Sequence, residues 1–443
     1  MTDSHPGGTA ASEGADTPED SPLLEVESLE VHYPIRKGLL RREVGRVRAV
    51  DGVSFSIGRG ETLGLVGESG CGKTSTALSI LRLEEPTGGE IRFDGDRVMR
   101  LSGAALRAFR RRTQLVVQDP NEAFNPRMRV GEAVAEPLVL HGMDDETRRR
   151  RLVESMLERV GLSASDADRY PHEFSDGEKQ RLAIARALVP DPDLIVADEP
   201  TSALDARVKA DVLALLDDVR REFDVSVLFI SHDVDVVRRF CDRVAVMYLG
   251  EIVEKGPIDT VLASPAHPYT RVLLGSVPSL DPTDRGRSRP LTDTVPDPAD
   301  PPGGCRFHTR CPEVIRPDDV DLPADLWERV ARFRFSVAAG ELPDGIGHDG
   351  SEDAAVTPAT VREAFALPDR LPDDAVERAV ADAVSAIVHG DLEAAHRRLA
   401  ETVPSVCERA EPIAVVESDR TVRCHRYDPG VEAEPRTWSR NGE

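Results

Sequence analysis

Residues 67–74 read Gly-Glu-Ser-Gly-Cys-Gly-Lys-Thr, a full match to the spacing G-x-x-x-x-G-K-[ST]. No other part of the chain constrains the fold as much, because this pattern demands a strand, a tight loop and a helix in succession. Gly67, Gly70 and Gly72 let the backbone curl until successive N–H groups point at one anion. Lys73 brings a compact cation toward the β- and γ-phosphates of a nucleotide, and the Thr74 hydroxyl can ligate Mg²⁺. The flanks agree. Thr62–Val66 reads as a short buried strand and Thr74–Leu83 as a helix, whose N-terminus adds partial positive charge. Glu68, Ser69, Cys71 and Ser75 complete the expected binding loop.

Length and charge narrow the class. At 443 residues there is room for two or three domains, and 40% hydrophobic residues suffice for a sizeable core. No apolar run reaches the roughly 18–20 residues that span a bilayer, and no basic-then-apolar leader opens the chain. A soluble, cytoplasmic protein is expected, reaching a membrane only through partner subunits. The formal net charge is −24, with 5 Lys against 51 Arg. That acidic excess argues against coating nucleic acid, where affinity comes from basic surface. Arg110–Arg112 and Arg148–Arg151 read as solvated helix faces. Acidity with so little lysine suits a cytoplasm adapted to high salt, as in halophilic archaea, since net charge keeps a protein soluble where salt screens repulsion.

Residues 1–22 have little to bury and read as a disordered acidic tail. Leu23–Tyr33 alternates apolar and polar residues as a strand does, Arg36–Arg46 reads as a basic loop, and Val47–Ile57 as strand leading into the phosphate loop. Ile91–Phe93 followed by Asp94-Gly95 reads as strand then turn. Residues 100–180 look like a helical insertion, with candidate helices at Glu132–Leu140 and Arg149–Val160. Elements then alternate through Leu182–Leu188, Leu194–Ala197, Val208–Phe223, Val227–Ile230 and Val234–Phe240, which argues for a mostly parallel sheet. Val244–Val253 reads as a terminal strand and hairpin, and Asp281–Gly304 as a Pro- and Asp-rich linker. Val376, Ala379, Val380, Ala383, Val384 and Ile387 fall on one helical face after a start signal at Pro372-Asp373, and a second helix is expected over Leu392–Leu399.

Asp193–Pro200 is an apolar strand ending in two acids. Asp198 sits where a strand-end carboxylate can hold Mg²⁺, and Glu199 where it can polarise an attacking water. Gln118 follows Val116-Val117, Phe174-Ser175-Asp176-Gly177-Glu178 precedes Lys179-Gln180-Arg181, Ser202-Ala203-Leu204-Asp205 follows the acids, and His232 lies in Ile230-Ser231-His232-Asp233. With these motifs in this order, residues 23–280 resemble the ATP-binding cassette (ABC) ATPases. The resemblance implies an α/β P-loop NTPase cassette: a RecA-like core with an antiparallel β subdomain and a helical subdomain, over residues 23–260. It implies Mg²⁺ held by Thr74, Gln118 and Asp198, Glu199 as general base, His232 as sensor of the γ-phosphate, and Lys73 as the phosphate cation. Tyr33 is a candidate for stacking on adenine, or an ordinary strand aromatic. Ser175, Asp176, Gly177 and Glu178 would face the ATP of a partner cassette, with Ser202–Asp205 as the D-loop. Where the family has two glycines after the signature serine, this chain has Asp176-Gly177. An added carboxylate about 4–6 Å from a partner's γ-phosphate would cost a few kcal/mol at an effective dielectric near 20, which weakens that composite site and favours an unequal pair of cassettes.

Within the family the chain looks like the oligopeptide/dipeptide importer ATPases, from Arg48–Thr74, Met247-Tyr248-Leu249-Gly250, Gly256-Pro257 and His267-Pro268-Tyr269-Thr270. His267 reads as a satisfied turn histidine. A segment over 261–304 and a cysteine extension over 305–443 follow. Cys71 and Cys241 read as packing residues, leaving Cys305, Cys311, Cys407 and Cys424. A cytoplasmic chain keeps them reduced, and the first spacing is wider than the usual zinc pairing. Some members of the subgroup bind a [4Fe–4S] cluster through four thiolates of such a tail. In those members the second and third cysteines lie close together, whereas residues 313–404 separate them here as an insertion. A cluster, zinc and a metal-free tail all stay open. The resemblance implies ATP and Mg²⁺, a second and non-identical cassette, two membrane permeases, an extracellular substrate-binding protein, and a peripheral place on the cytoplasmic face of the membrane. Nickel or another solute is an alternative cargo. A soluble cassette ATPase in nucleic-acid or ribosome work is the other reading, which the single cassette and acidic charge disfavour.

Overall fold

The computed structural model describes residues 21–38, 41–202, 204–276, 295–343 and 356–431. Along the chain come β1 (Leu24–Lys37), β2 (Arg42–Ile57), β3 (Thr62–Val66), α1 (Lys73–Ile80), β4 (Gly88–Phe93), β5 (Asp96–Arg97), α2 (Gly103–Arg112) and β6 (Thr113–Val116). α3 (Val130–Leu140), α4 (Glu146–Arg159) and α5 (Asp176–Leu188) follow, then β7 (Leu194–Asp198), α6 (Ala206–Phe223), β8 (Ser226–Ser231) and α7 (Val234–Phe240). β9 (Arg243–Tyr248), β10 (Glu251–Pro257), α8 (Ile258–Ala263) and α9 (Pro268–Gly275) end this part. Beyond it lie α10 (Ala324–Ala339), α11 (Pro358–Ala364), α12 (Asp374–Val388), α13 (Leu392–Thr402), α14 (Val406–Arg409), β11 (Ala414–Glu417) and β12 (Arg420–Arg423).

The larger sheet has the order β11-β12-β10-β9-β3-β8-β7-β6, in which β9, β3, β8, β7 and β6 run parallel. Every residue of β3, β7 and β8 is buried, which is why these strands read as apolar runs without alternation: a parallel sheet is covered on both faces. Their carboxyl ends align, with Val66 beside Ser231 and Asp198 beside Ile230. Open parallel sheets bind ligands at that end. The smaller sheet, β2-β1-β4-β5, is antiparallel. α3, α4 and α5 pack together through Val134, Leu138, Val153, Leu157 and Leu182.

The structure corrects several expectations. Arg36–Arg46 is not a loop: the β1–β2 ladder continues through Arg36 opposite Glu43 and Lys37 opposite Arg42, because backbone pairing extends a hairpin past the point where side chains are buried. Leu182–Leu188 is the second half of a helix that starts at Asp176. Most of the expected disordered tail and most of the expected linker lie outside the described residues. The last part of that linker is docked, since the Arg48 N–H donates to the Pro298 carbonyl at 3.2 Å.

Residues beyond 313 build a second core from Trp327, Val330, Phe333, Val361, Val380 and Leu399. All six residues on the anticipated face of α12 are buried, and Asp373 caps its start by accepting the Ala375 and Val376 N–H groups at 2.8 and 3.0 Å. The chain then returns to the first core, where β12 pairs with β10 through Glu254 opposite Val422. Among the described residues no helix is long and apolar enough to cross a membrane.

Trp327 is 5% exposed, and its indole N–H donates to the Val314 carbonyl at 2.8 Å. Trp327→Ala is expected to destabilise this second core by about 3–5 kcal/mol. Limited proteolysis would show it as faster cleavage between residues 324 and 403.

Candidate nucleotide-binding site

The loop between β3 and α1 is shaped by close backbone contact. Gly72 has φ 108°, and an added Cβ would collide with the Ala49 carbonyl, so only glycine fits. The Gly250 N–H donates to the Cys71 carbonyl at 2.9 Å, pinning the other side. Ser69, Gly70 and Thr74 are exposed, while the Cys71 thiol is buried, which pushes it up to about 11 and leaves it a packing group. Lys73 is 5% exposed, and its Nζ donates to the Gly67 and Glu68 carbonyls at 2.9 and 3.0 Å.

The strand ends bring the other candidates to this loop. Glu199 joins them: its carboxylate lies 4.0 Å from Lys73 Nζ, accepts from Gln118 Nε2 at 3.2 Å and is 3.0 Å from His232 Nδ1. Its backbone stands at φ 44°, an uncommon conformation for a side-chain-bearing residue, held by its N–H bonding to the Ile230 carbonyl at 3.0 Å. Asp198 is 7% exposed and accepts from the Thr74 hydroxyl. Burial raises the Asp198 carboxyl above its ordinary 3.8, against the pull of Thr74, with Glu199 adding to the rise and Lys73 opposing it. A buried carboxylate beside a hydroxyl, poorly neutralised, suits a divalent cation. Tyr33 stands over α1, where its hydroxyl bonds Glu84 at 2.5 Å and lies 3.1 Å from Ser75 Oγ, with the residue 36% exposed.

The ABC transporter family profile matches residues 50–202, and that of the oligopeptide/dipeptide transporter C-terminal region matches 253–316. The oligopeptide transport ATP-binding protein AppF of Bacillus subtilis is 48% identical over 300 residues, covering 67% of this chain and 90% of that protein. The chain belongs to the ABC transporter ATP-binding proteins. The dipeptide transport ATP-binding protein DppF of Escherichia coli is 46% identical over 290 residues (66% of this chain, 86% of that protein). A putative peptide import ATP-binding protein of Brucella ovis is 47% identical over 318 residues (72% and 98%). A third profile, a domain of unknown function (DUF8228), matches residues 324–420. As an ABC cassette the protein is an ATPase.

The cassette's signature turn shows what its unusual residues do locally. Ser175 caps α5, and Glu178 closes a capping box by accepting the Ser175 N–H and hydroxyl, both at 2.8 Å. The Ser-x-x-Glu spacing announces that box. Asp176 is the first residue of α5, 62% exposed, and paired with Lys179 at 3.1 Å. Its charge is therefore partly answered within the chain, so the repulsion expected from an unpaired carboxylate is reduced. Gly177 abuts α6, where a Cβ would strike Val208. In the D-loop, the Ser202 hydroxyl donates to the Glu199 carbonyl at 3.0 Å, Leu204 N–H donates to the Thr201 carbonyl, and Asp205 caps α6; Ala203 lies outside the described residues.

In the cassette's C-terminal part His267 caps α9, its Nδ1 accepting the Tyr269 N–H at 3.0 Å, and burial pulls its pKa down to about 3. The insertion does not keep the cysteines apart. The Cys305 N–H donates to the Cys407 carbonyl at 2.8 Å, and Cys305, Cys311, Cys407 and Cys424 are near enough to influence one another's ionisation. Burial raises all four thiols, that of Cys424 to about 12. Among the described residues no group of three or more His, Cys, Asp or Glu is arranged to hold a metal ion, so this arrangement lends no support to the expected zinc or cluster. Two contacts were not legible beforehand: Arg306 pairs with Asp51 and Glu251, and Arg310 with Glu68. No local spacing announces them.

The Asp198 shift gives a signed expectation. A carboxyl whose pKa is higher folded than unfolded costs stability as pH rises from the unfolded value, 3.8, through the folded one. Asp198→Asn removes that cost. The nucleotide-free chain should gain about 2 °C in Tm at pH 7, the gain shrinking as pH falls toward 4, while ATP hydrolysis is lost. Calorimetric melts across pH, with and without MgATP, measure both.

Proposed function

We propose that this chain is the ATP-hydrolysing subunit of an importer that moves oligopeptides or dipeptides across the cytoplasmic membrane, working at its cytoplasmic face. The observation that carries the reading is the meeting of Lys73, Gln118 and His232 on Glu199 at the ends of parallel strands. The match of 253–316 to the peptide-transporter region points to the cargo.

Phosphoryl transfer needs positioning and charge stabilisation more than covalent help. Lys73 would leave the Gly67 and Glu68 carbonyls for the phosphates, and the loop amides would share that charge. Thr74, Gln118 and Asp198 would hold Mg²⁺, which supplies positive charge to the β- and γ-phosphate oxygens. Glu199 would accept the proton of the attacking water, with His232 donating to the same carboxylate and linking it to the γ-phosphate. Tyr33 would offer its exposed ring to adenine. Ser175 and the Gly177 amide would complete the site of a second cassette, and two permeases and an extracellular binding protein would complete the importer.

The finer readings follow the same line. We take residues 23–260 as the cassette with its helical part at 100–180, 261–304 as a connecting segment, and 305–443 as an extension interrupted at 313–404. The separate core around Trp327 supports this division. A non-identical partner cassette is supported by Asp176, whose charge a glycine-bearing partner would not repeat. A [4Fe–4S] cluster on Cys305, Cys311, Cys407 and Cys424 rests on the resemblance of the tail to cluster-binding members of the subgroup; Cys407 and Cys424 are buried and Cys305 and Cys311 half-buried, and loading would need the metal to displace the protons of these thiols to solvent. Adaptation to high salt is supported by the net charge of −24, and full activity in dilute buffer with loss in molar KCl would contradict it.

Anaerobic purification of the tagged chain from its membranes is expected to bring two permeases and a second cassette, and about four irons per chain would support the cluster; ribosomal partners without membrane proteins would contradict the importer. Glu199→Gln should bind MgATP yet hydrolyse it at least about 100-fold more slowly. Asp176→Gly should raise ATPase activity of the assembled complex about two- to fivefold, the residual effect of a carboxylate already paired with Lys179. An unchanged rate would show that Asp176 does not weaken the composite site.

A further inference from the structure

Two side chains outside the nucleotide motifs grip the phosphate loop from the C-terminal part of the chain. Tyr269 is fully buried, and its hydroxyl accepts the Glu68 N–H at 3.0 Å. Arg310, whose side chain is 4% exposed, donates through Nη1 to both carboxylate oxygens of Glu68 at 3.0 and 3.2 Å. The same nitrogen reaches the Tyr248 hydroxyl at 3.3 Å. Tyr248, Tyr269 and Phe307 pack as one aromatic cluster, with ring centroids 4.6 to 5.3 Å apart. Since Lys73 takes the Glu68 carbonyl, the amide, carbonyl and carboxylate of Glu68 each have a different partner.

We propose that Tyr269 and Arg310 are positioning residues for ATP binding, acting through Glu68. The proposal rests on residues 67–74 being the ATP site. A phosphate loop binds tightly when its amides are aimed before the ligand arrives, because ordering them afterwards subtracts from affinity. Tyr269 fixes the start of the loop through one amide that then serves as an anchor. Arg310 answers a carboxylate that otherwise stands inside the loop with the same sign as the incoming phosphates. Arginine suits that post because it stays charged when buried. The His-Pro-Tyr-Thr segment and the cysteine-bearing turn at 305–311 thus act together on the nucleotide, without touching it.

MgATP titrated calorimetrically into the full chain tests this. Arg310→Met should weaken binding about tenfold, the effect of leaving one carboxylate unanswered near the phosphates. Adding Glu68→Gln to that variant should restore affinity to within about threefold of the unaltered chain, a rescue that simple loss of packing would not show. Tyr269→Phe should weaken binding about threefold and leave the rate of bound ATP hydrolysis in the assembled complex unchanged. Arg310→Gln, which keeps a donor toward Glu68 without the charge, gives the same rescue where methionine is not tolerated. Arg310 variants that bind as the unaltered chain does, or whose weakness Glu68→Gln fails to relieve, overturn the proposal. No MgATP binding by the unaltered chain, matching a Lys73→Met control, overturns the nucleotide site itself and this proposal with it.

Discussion

Everything in this chain depends on how closely three backbone segments approach one another at the phosphate loop. Ala49 on β2 presses on Gly72, Cys71 accepts from Gly250 in the β9–β10 turn, and Gly250 in turn accepts the Asp51 N–H at 2.8 Å. The contact is made by main chain, so it is short and directional, and it leaves no room for side chains. It joins the antiparallel sheet to the parallel one and fixes where α1 starts. Once that is set, the neighbouring strands β8, β7 and β6 can deliver His232, Glu199, Asp198 and Gln118 only to the same edge, because their carboxyl ends are in register with β3 or its neighbours.

The second organising force is the placement of charge away from water. The C-terminal part inserts arginines where burial is nearly complete: Arg306, Arg310 and Arg334, each against a carboxylate. A buried guanidinium without a partner is costly, so each pair specifies which segment meets which. Arg306 ties the extension to Asp51 and Glu251, Arg310 ties it to Glu68, and Arg334 ties α10 to Glu408 near Cys407. These three arginines are therefore not interchangeable with lysine at their posts.

The nucleotide site was legible because each of its parts is carried by a short stretch with its own chemistry. A Gly-rich turn before Lys73, paired acids at the end of β7 and a histidine after β8 declare themselves wherever they occur in order. α12 was legible for a similar reason: six apolar positions at helical spacing share one face. The β1–β2 extension was not, because its outer residues are charged and its pairing is backbone alone. The Lys179 partner of Asp176 lies one helical turn on, within reach of a local argument, yet the sign of its effect depends on side-chain direction.

By itself the sequence determined that residues 67–74 form a phosphate loop and that a parallel sheet carries its partners, since those follow from local glycine geometry, strand burial and residue chemistry. Only the tertiary structure decided that Cys305 and Cys407, 102 positions apart by their numbers, lie in hydrogen-bond contact, and that Tyr269 and Arg310 hold Glu68. Those contacts join segments whose separation along the chain says nothing of their separation in space. They form because β12 pairs with β10 and a folded domain of its own core brings its two ends together, outcomes of packing that no local pattern records.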